Sequence, residues 1–411
     1  MAKLDVSFIR KFLTTVLGLS IATTAWAQQA DSTTGDDAGK QMQERISQLE
    51  AKVKELEEQQ QKTVPEEPIA EMAVEAPRQD TPRLKLNVLG DVGFRATDRP
   101  KTVSSSFDIG SLDLLMTSRL ATNLSLLGEA IFLSTSTNAI EADIERLILL
   151  YHPSEYFNVG VGRYHTSIGY YNTAFHRGEW FQTAIGRPFM YQFDDTGGPL
   201  PLQEVGVTAS GLIPSGNLGI HYVLEVGNGR AHVLGSDPAQ NNIDHSNGKS
   251  LNFGMFAQPS RLPGLQAGFS VYHNYLVFSD HINHDELIST AYIVFANSTY
   301  ELLNEAMMVR HSRTNAGEPR IFHTSAFYTQ FSRRVASCRP YFRYEYINAS
   351  VNEPIYGDPL DGPVVGRRNG ASAGGRWDFN EHAAGKLQYD RIYIRGQGSG
   401  NGIAMQFAFI F

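Results

Sequence analysis

The chain has 411 residues, with 35 Lys and Arg against 43 Asp and Glu, a formal net charge of −8. That acidic balance argues against a nucleic-acid partner, which would call for a basic face. The single cysteine, Cys338, excludes an intrachain disulfide; with no partner histidine motif nearby, it reads as a wall position rather than a catalytic thiol.

Residues 1–27 carry the marks of a secretory signal: Lys3, Arg10 and Lys11, then the apolar "LTTVLGLSIATT", then the small-x-small "AWA". The apolar run is well short of the roughly 20 residues a spanning helix needs. The signal holds three positive charges and one negative, Asp5, so its removal takes the formal −8 to −10. Beyond it no stretch is apolar enough for a membrane helix. Even "DLLMTSRLATNLSLLGEAIFLS" is broken by Arg119 and Glu129.

Residues 28–39 are small and polar and predict a flexible tail. In 40–62, Met42, Ile46, Leu49, Val53 and Leu56 are spaced four, three, four and three, a heptad seam with charged flanks. Two to three heptads are marginal alone, so the seam would assist oligomerisation rather than drive it; the alternative is a single helix lying on another surface. Residues 63–83 hold Pro65, Pro68, Pro77 and Pro82 among many acids and predict an extended linker. Segment 28–83 carries 13 acids against 7 basic residues.

From Leu84 the texture becomes period two. In "LKLNVLGDVGFRA", Leu84, Leu86, Val88, Val92 and Phe94 share one face, while Asp91 and Arg95 lie on the other. The pattern predicts sixteen strands, near 84–96, 106–119, 124–135, 143–152, 157–165, 204–213, 218–227, 250–258, 265–277, 287–297, 300–310, 320–332, 338–348, 370–379, 384–395 and 402–411. The joins alternate in length. "ATN" at 121–123, "PSEY" at 153–156, "PSGN" at 214–217, "PSRLPG" at 259–264 and "NEHA" at 380–383 are short; 97–105, 166–203, 228–249, 311–319 and 349–369 are longer. Short turns at one end and long loops at the other are the construction of a transmembrane antiparallel β-barrel. A sandwich or propeller gives no reason for that alternation.

The last strand, "GIAMQFAFIF", puts Ile403, Met405, Phe407, Phe409 and Phe411 on one face and ends on an aromatic. It resembles the C-terminal strand of Gram-negative outer-membrane proteins. That resemblance implies Phe407, Phe409 and Phe411 as a signal read by the barrel-assembly machinery.

The whole resembles a porin, and in particular the trimeric DcaP-like porins that carry a periplasmic coiled coil before the barrel; the likeness to the phosphate-selective porin superfamily is looser. It is carried by the heptads at 42–56, by "VGVGRYHTSIGYYN" at 159–172, by "GGPLPLQEVGV" at 197–207 and by the terminal "FAFIF". The resemblance implies a homotrimer in the outer-membrane lipid, a periplasmic N-terminal segment, and a passive channel for small hydrophilic solutes. One departure matters: the barrel region has only four lysines, Lys85, Lys101, Lys249 and Lys386, against 21 arginines. The lysine path of phosphate-selective members is absent. Guanidinium groups suit carboxylates, which they bind bidentately, so anionic organic acids are the expected preference.

In general porins the third long loop folds inward, which implies a constriction at 166–203. A sixteen-strand barrel also encloses a lumen too wide for wall side chains to fill. The expected solute path comprises Arg163, His165, His176, Arg177, Glu179, Arg187, Asp194 and Asp195. Tyr164, Tyr170, Tyr171, Trp180, Phe189 and Tyr191 would anchor the loop against the wall, since aromatics supply large packing area. Further lumen-lining residues are Asp91, Arg95, Glu225, Arg343, Glu345, Arg376 and Asp378, where opposite charges recur in neighbouring positions.

Two other chemistries are weighed against this. His165, His176 and Glu179 could bind a metal, but no HExxH or cysteine pattern accompanies them. Ser167 beside His165 could be a nucleophile and base on a barrel wall; both are ordinary lumen residues, so no catalytic set, metal or cofactor is expected. The remaining alternative is a structural anchor that tethers the membrane through the N-terminal helix.

Overall fold

The computed structural model describes residues 83–99, 105–135, 138–175, 179–193, 198–231, 239–240, 242, 248–276, 283–313, 320–353, 355–356 and 365–411. The expected signal, tail and coiled-coil seam, and the linker up to residue 82, lie outside the described residues.

The described chain is a closed sixteen-strand antiparallel β-barrel. Its strands are β1 (Leu84–Thr97), β2 (Ser105–Ala121), β3 (Leu124–Ser134), β4 (Ile140–Ser154), β5 (Phe157–His165), β6 (Gln203–Ile213), β7 (Ile220–Gly227) and β8 (Ser250–Ala257). They continue as β9 (Leu265–Leu276), β10 (His284–Ala296), β11 (Tyr300–Arg313), β12 (Ile321–Arg333), β13 (Cys338–Asn348), β14 (Arg367–Asp378), β15 (Ala383–Ile394) and β16 (Gly398–Ile410). Each pairs with its sequence neighbours, and β1 pairs with β16 to close the cylinder. A short ladder of Arg230–Ala231 with Ala239–Gln240 stands apart from the barrel.

All sixteen predicted strands are present. Several reach further than the apolar pattern does: β4 begins at Ile140 rather than 143, β10 at His284 rather than 287, and β16 at Gly398 rather than 402. The backbone ladder continues past the apolar belt, where side chains no longer need to alternate. Two joins break the length rule, since β3 and β4 are linked by 135–139 and β15 and β16 by 395–397 although both pairs meet at the long-loop end.

Alternation fixes the two faces. On β16, Ile403, Met405 and Phe407 are exposed while Ala404, Gln406 and Ala408 are buried. The uncovered face is apolar, as a lipid-facing wall requires. The inner face of β10–β12 departs from the polar lining expected of a water-filled lumen. Ile288, Tyr292, Val294, Leu303, Met307, Val309, Ala326 and Tyr328 all point inward and are buried. An apolar inner wall cannot face water without cost, and here it is covered by segment 166–202.

The closing seam is secured by backbone bonds at the carboxyl terminus. Val88 N–H donates to Phe411 O at 2.7 Å, and Phe411 N–H donates to Val88 O at 2.9 Å.

Candidate functional site

The segment between β5 and β6 leaves and re-enters the wall through a pinned neck. Thr166 N–H donates to Leu202 O at 3.0 Å and its hydroxyl to Pro201 O at 2.6 Å. The Asn172 amide donates to Thr166 O and Leu202 O at 2.9 and 2.8 Å. The ends of a long excursion are thereby held together.

A six-residue helix, α1 (Tyr170–Phe175), follows the neck. Its first N–H groups lack intrahelical acceptors. Glu305, inward on β11, supplies one: its carboxylate accepts from Tyr170 N–H at 2.6 Å and Tyr171 N–H at 2.9 Å. The same carboxylate accepts from the hydroxyls of Tyr191 and Tyr328, each at 2.6 Å. Four donors on one buried carboxylate satisfy its lone pairs, the condition under which a buried charge is tolerated. Tyr171 and Tyr191 stack with ring centroids 5.3 Å apart, and Tyr328 stands edge-on to both. Burial and the Glu305 charge hold the Tyr191 phenol well above its ordinary pKa.

Beyond α1 the loop is tied to further strands through its backbone. Carbonyl oxygens accept from inward cations: Gly186 O from Arg343 at 2.8 Å, Gln182 O from Arg376 at 3.1 Å, Glu179 O from Lys386 at 2.5 Å. Amide hydrogens go to inward acceptors: Ser167 N–H to Glu225 at 3.0 Å, Phe189 N–H to Glu345 at 2.6 Å, Ile185 N–H to Gln388 at 2.9 Å. The anchors come from β7, β11, β13, β14 and β15. A loop of this length has many backbone groups to satisfy, and the wall charges satisfy them. The buried apolar cluster joins Ile168, Phe189, Met190, Leu200 and Leu202 to the inner wall. Full burial of each such side chain contributes about 1.5–3 kcal/mol.

Three loops meet beside the neck. Arg230, in the join after β7, forms a buried ion pair with Glu286 at 2.5 Å and donates to Pro199 O at 2.9 Å. His311 has one ring nitrogen 2.9 Å from Glu286 and the other 2.8 Å from Glu353 of the join after β13. Tyr356 of that join donates to Pro199 O at 2.7 Å.

The expected path residues separate into groups. Arg163 sits at the end of β5, donating to Asn242 at 2.8 Å and lying 3.3 Å from Asp143. His165 is 3.8 Å from Glu129, whose carboxylate also pairs with Arg146 at 2.7 Å. Glu179 stands 4.0 Å from Lys386. Arg187 donates to Tyr191 O and lies over the rings of Tyr171 and Phe193. His176, Arg177, Asp194 and Asp195 lie outside the described residues.

Of the expected lumen residues, Glu225, Arg343, Glu345 and Arg376 are buried or half-buried beneath the loop and bonded to its backbone. Arg343 and Glu345 also pair at 3.5 Å, and Arg376 with Asp378 at 2.7 Å. Asp91 on β1 accepts from Ser111 N–H of β2 and from Gln406 of β16. Arg95 remains 63% exposed, 3.9 Å from Asp108. The Ser167 hydroxyl accepts from Asn252 at 2.9 Å while His165 faces Glu129, so the two turn to different partners. Among the described residues no group of three or more His, Cys, Asp or Glu could hold a metal ion.

Glu305, Gln388 and Tyr328 escaped the reading of the sequence. For Glu305 the signal was available in β11, where the inward positions Leu303, Met307 and Val309 flank it; Gln388 on β15 and Tyr328 on β12 carry no such signal. A strand apolar on both faces is covered on both, and a lone acid within such a run must meet buried donors.

The closed sixteen-strand antiparallel barrel is a fold shared with outer-membrane porins among solved structures. No protein-family model matches the sequence, and no curated protein sequence does. Among solved structures, the chain is similar to an anion-selective porin from Comamonas acidovorans, with a TM-score of 0.56 and 11% identity over 80% of this chain and 100% of that one. It is also similar to the outer membrane channel DcaP of Acinetobacter baumannii, with a TM-score of 0.54 and 9% identity over 80% and 97%. A third likeness is to Salmonella typhi OmpF in complex with daunomycin, with a TM-score of 0.52 and 12% identity over 79% and 97%. At these identities the likeness is one of fold.

Proposed function

We propose that the protein is a passive diffusion channel for small hydrophilic solutes in the outer membrane of a Gram-negative bacterium, and not an enzyme. Loop 166–203 is its constriction. The observation that carries this reading is the harness itself. At least five strands spend inward-facing charges on holding one loop against the inner wall, an investment that makes sense where the free cross-section matters. The long joins face outward and the N-terminal segment is periplasmic, a placement supported by the alternation of turn and loop lengths.

The preferred solutes are anionic organic acids. The support is the excess of arginine over lysine, and the fold is shared with a porin described as anion-selective. Because Arg343 and Arg376 are engaged by loop carbonyls, the selectivity rests with exposed cations outside the harness, such as Arg95. The chain functions as a homotrimer, with the seam at 42–56 assisting assembly and the barrel-assembly machinery reading the terminal phenylalanines. Reversal potentials of single channels in a salt gradient test the preference. A shift toward the anion equilibrium potential agrees with it, and a shift toward the cation potential refutes it while leaving the pore intact.

A further inference from the structure

Within the inner loop, segment 179–185 reaches the short-turn end of the barrel. The Glu179 carbonyl accepts from Lys386, near the start of β15, and the Thr183 hydroxyl donates to Glu301, near the start of β11, at 3.2 Å. Between these anchors the Trp180 and Gln182 carbonyls both accept from Arg376 of β14. The segment therefore runs across the inner wall from one strand to another four places away in the sheet.

Exposure along it is uneven. Gln182, Thr183, Ala184 and Ile185 are each 5% exposed or less, whereas Phe181 is 48% exposed. Among the described residues of the inner loop it is the one exposed large apolar side chain. Its surroundings are aromatic too. Half-buried Trp180 has the Arg376 guanidinium over its ring, 4.8 Å from the centroid. The Gln182 amide donates to Phe175 O at 3.3 Å, which brings half-buried Phe175 beside the segment.

A single apolar side chain on an outer surface needs no explanation. Phe181 is different in its place: its two neighbours are clamped to the inner wall by one guanidinium, so its ring is held in water where solutes pass. An apolar ring in water gains when another apolar surface covers it. A second aromatic ring gains more, since offset or edge-on ring pairs are favourable beyond the area they bury. We infer that Phe181 is a specificity-determining residue of the pore, and that the solute it favours is an organic acid bearing an aromatic ring. Phe181 meets the ring end of that solute. The carboxylate end is left to exposed cations elsewhere, because Arg376 is occupied by the two carbonyls and by Asp378 at 2.7 Å. The acid nearest in the chain, Glu179, stands 4.0 Å from Lys386. The inference rests on the channel reading and deepens it by naming the class of organic acid.

The test is single-channel recording of the full chain in potassium chloride, with sodium benzoate or sodium propionate added. The affinity of each acid is read from its dose-dependent interruption of the current, and the benzoate-to-propionate ratio is the readout. A change in pore width moves both acids and cancels in that ratio. The unaltered protein is expected to favour benzoate. In F181A the ratio should fall about three- to tenfold, and in F181Y, which keeps the ring, it should stay within about twofold of the unaltered value. Phe181→Leu, close in bulk but without a ring, should fall in the same direction as F181A and supplies the comparison should F181A fold poorly. An unchanged ratio in F181A and F181L overturns the inference, as does an equal fall in F181Y or a lack of benzoate preference in the unaltered protein. A correctly folded protein that carries no potassium chloride current would instead count against the channel reading itself.

Discussion

Tyr191 donates its phenolic hydrogen to Glu305 at 2.6 Å, joining the middle of the inner loop to the middle of β11. The two are 114 residues apart in the chain, so only the closed barrel brings them together. The same carboxylate caps α1, and this makes Glu305 the residue on which the loop's position most depends.

Replacing Glu305 by Gln keeps the shape and removes the charge. Two tyrosine hydroxyls and two backbone N–H groups would then share an acceptor with half the capacity. The expected cost is roughly 2–4 kcal/mol in loop anchorage. Limited proteolysis should cut E305Q within 166–203 faster than the unaltered protein, and its single-channel conductance should be higher. Equal protease resistance together with equal conductance would show that the loop is held elsewhere.

Gly169 gives a second route to the same anchor. It has φ +74°, and a Cβ there would collide with the Tyr191 hydroxyl and the Glu305 carboxylate. A side chain at positive φ costs about 1–2 kcal/mol before any clash. Gly169→Ala is therefore expected to reproduce the E305Q phenotype, whereas Gly186→Ala, with positive φ but open space around it, should be milder. The same two readouts applied to both variants decide this; a stronger effect in G186A would contradict it.

Alkaline pH should loosen the loop. The Tyr191 pKa is held above its ordinary value by burial and by Glu305. For a group whose protonated form is favoured in the folded state, the stabilisation is fully present below the ordinary tyrosine pKa, about 10. It is lost as pH rises from there toward the raised value. Conductance should be flat through neutral pH and should rise above about pH 10. Tyr191→Phe, which cannot ionise, should show a smaller alkaline rise. An unchanged alkaline profile in Y191F would remove this phenol from the account.

The two bonds between Phe411 and Val88 close the barrel at its seam, and the Phe411 ring lies 6.4 Å from that of Phe409. Deleting Phe411 removes both bonds and an exposed aromatic of the outer wall. The folded fraction, read as heat-modifiable migration on a gel, should fall in the deletion and recover in Phe411→Tyr. A deletion that folds fully would separate the terminal aromatic from barrel closure.

Strand number and order were legible because each strand carries its own signal: period-two alternation, bounded by turns whose lengths alternate. Leu84 through Phe94 and Ile403 through Phe411 show this directly. The harness was not legible, because its pairs join positions far apart in sequence, such as Ile185 with Gln388 and Phe189 with Glu345. Arg343, Glu345 and Arg376 read as ordinary inward charges, and local sequence does not tell a charge facing water from one facing a loop backbone. The ends of β4 and β10 were misjudged for a related reason. Their outermost rungs are held by backbone pairing, which leaves no mark in the side-chain pattern.

The central claim is that this barrel is a pore narrowed by a loop fastened through Glu305. Single-channel recording in planar lipid bilayers, with the unaltered protein and E305Q side by side, tests it most directly. The account predicts discrete conductance steps for both, with a larger step for E305Q. A bilayer that stays silent with correctly folded protein, or steps of equal size in the two proteins, would contradict it.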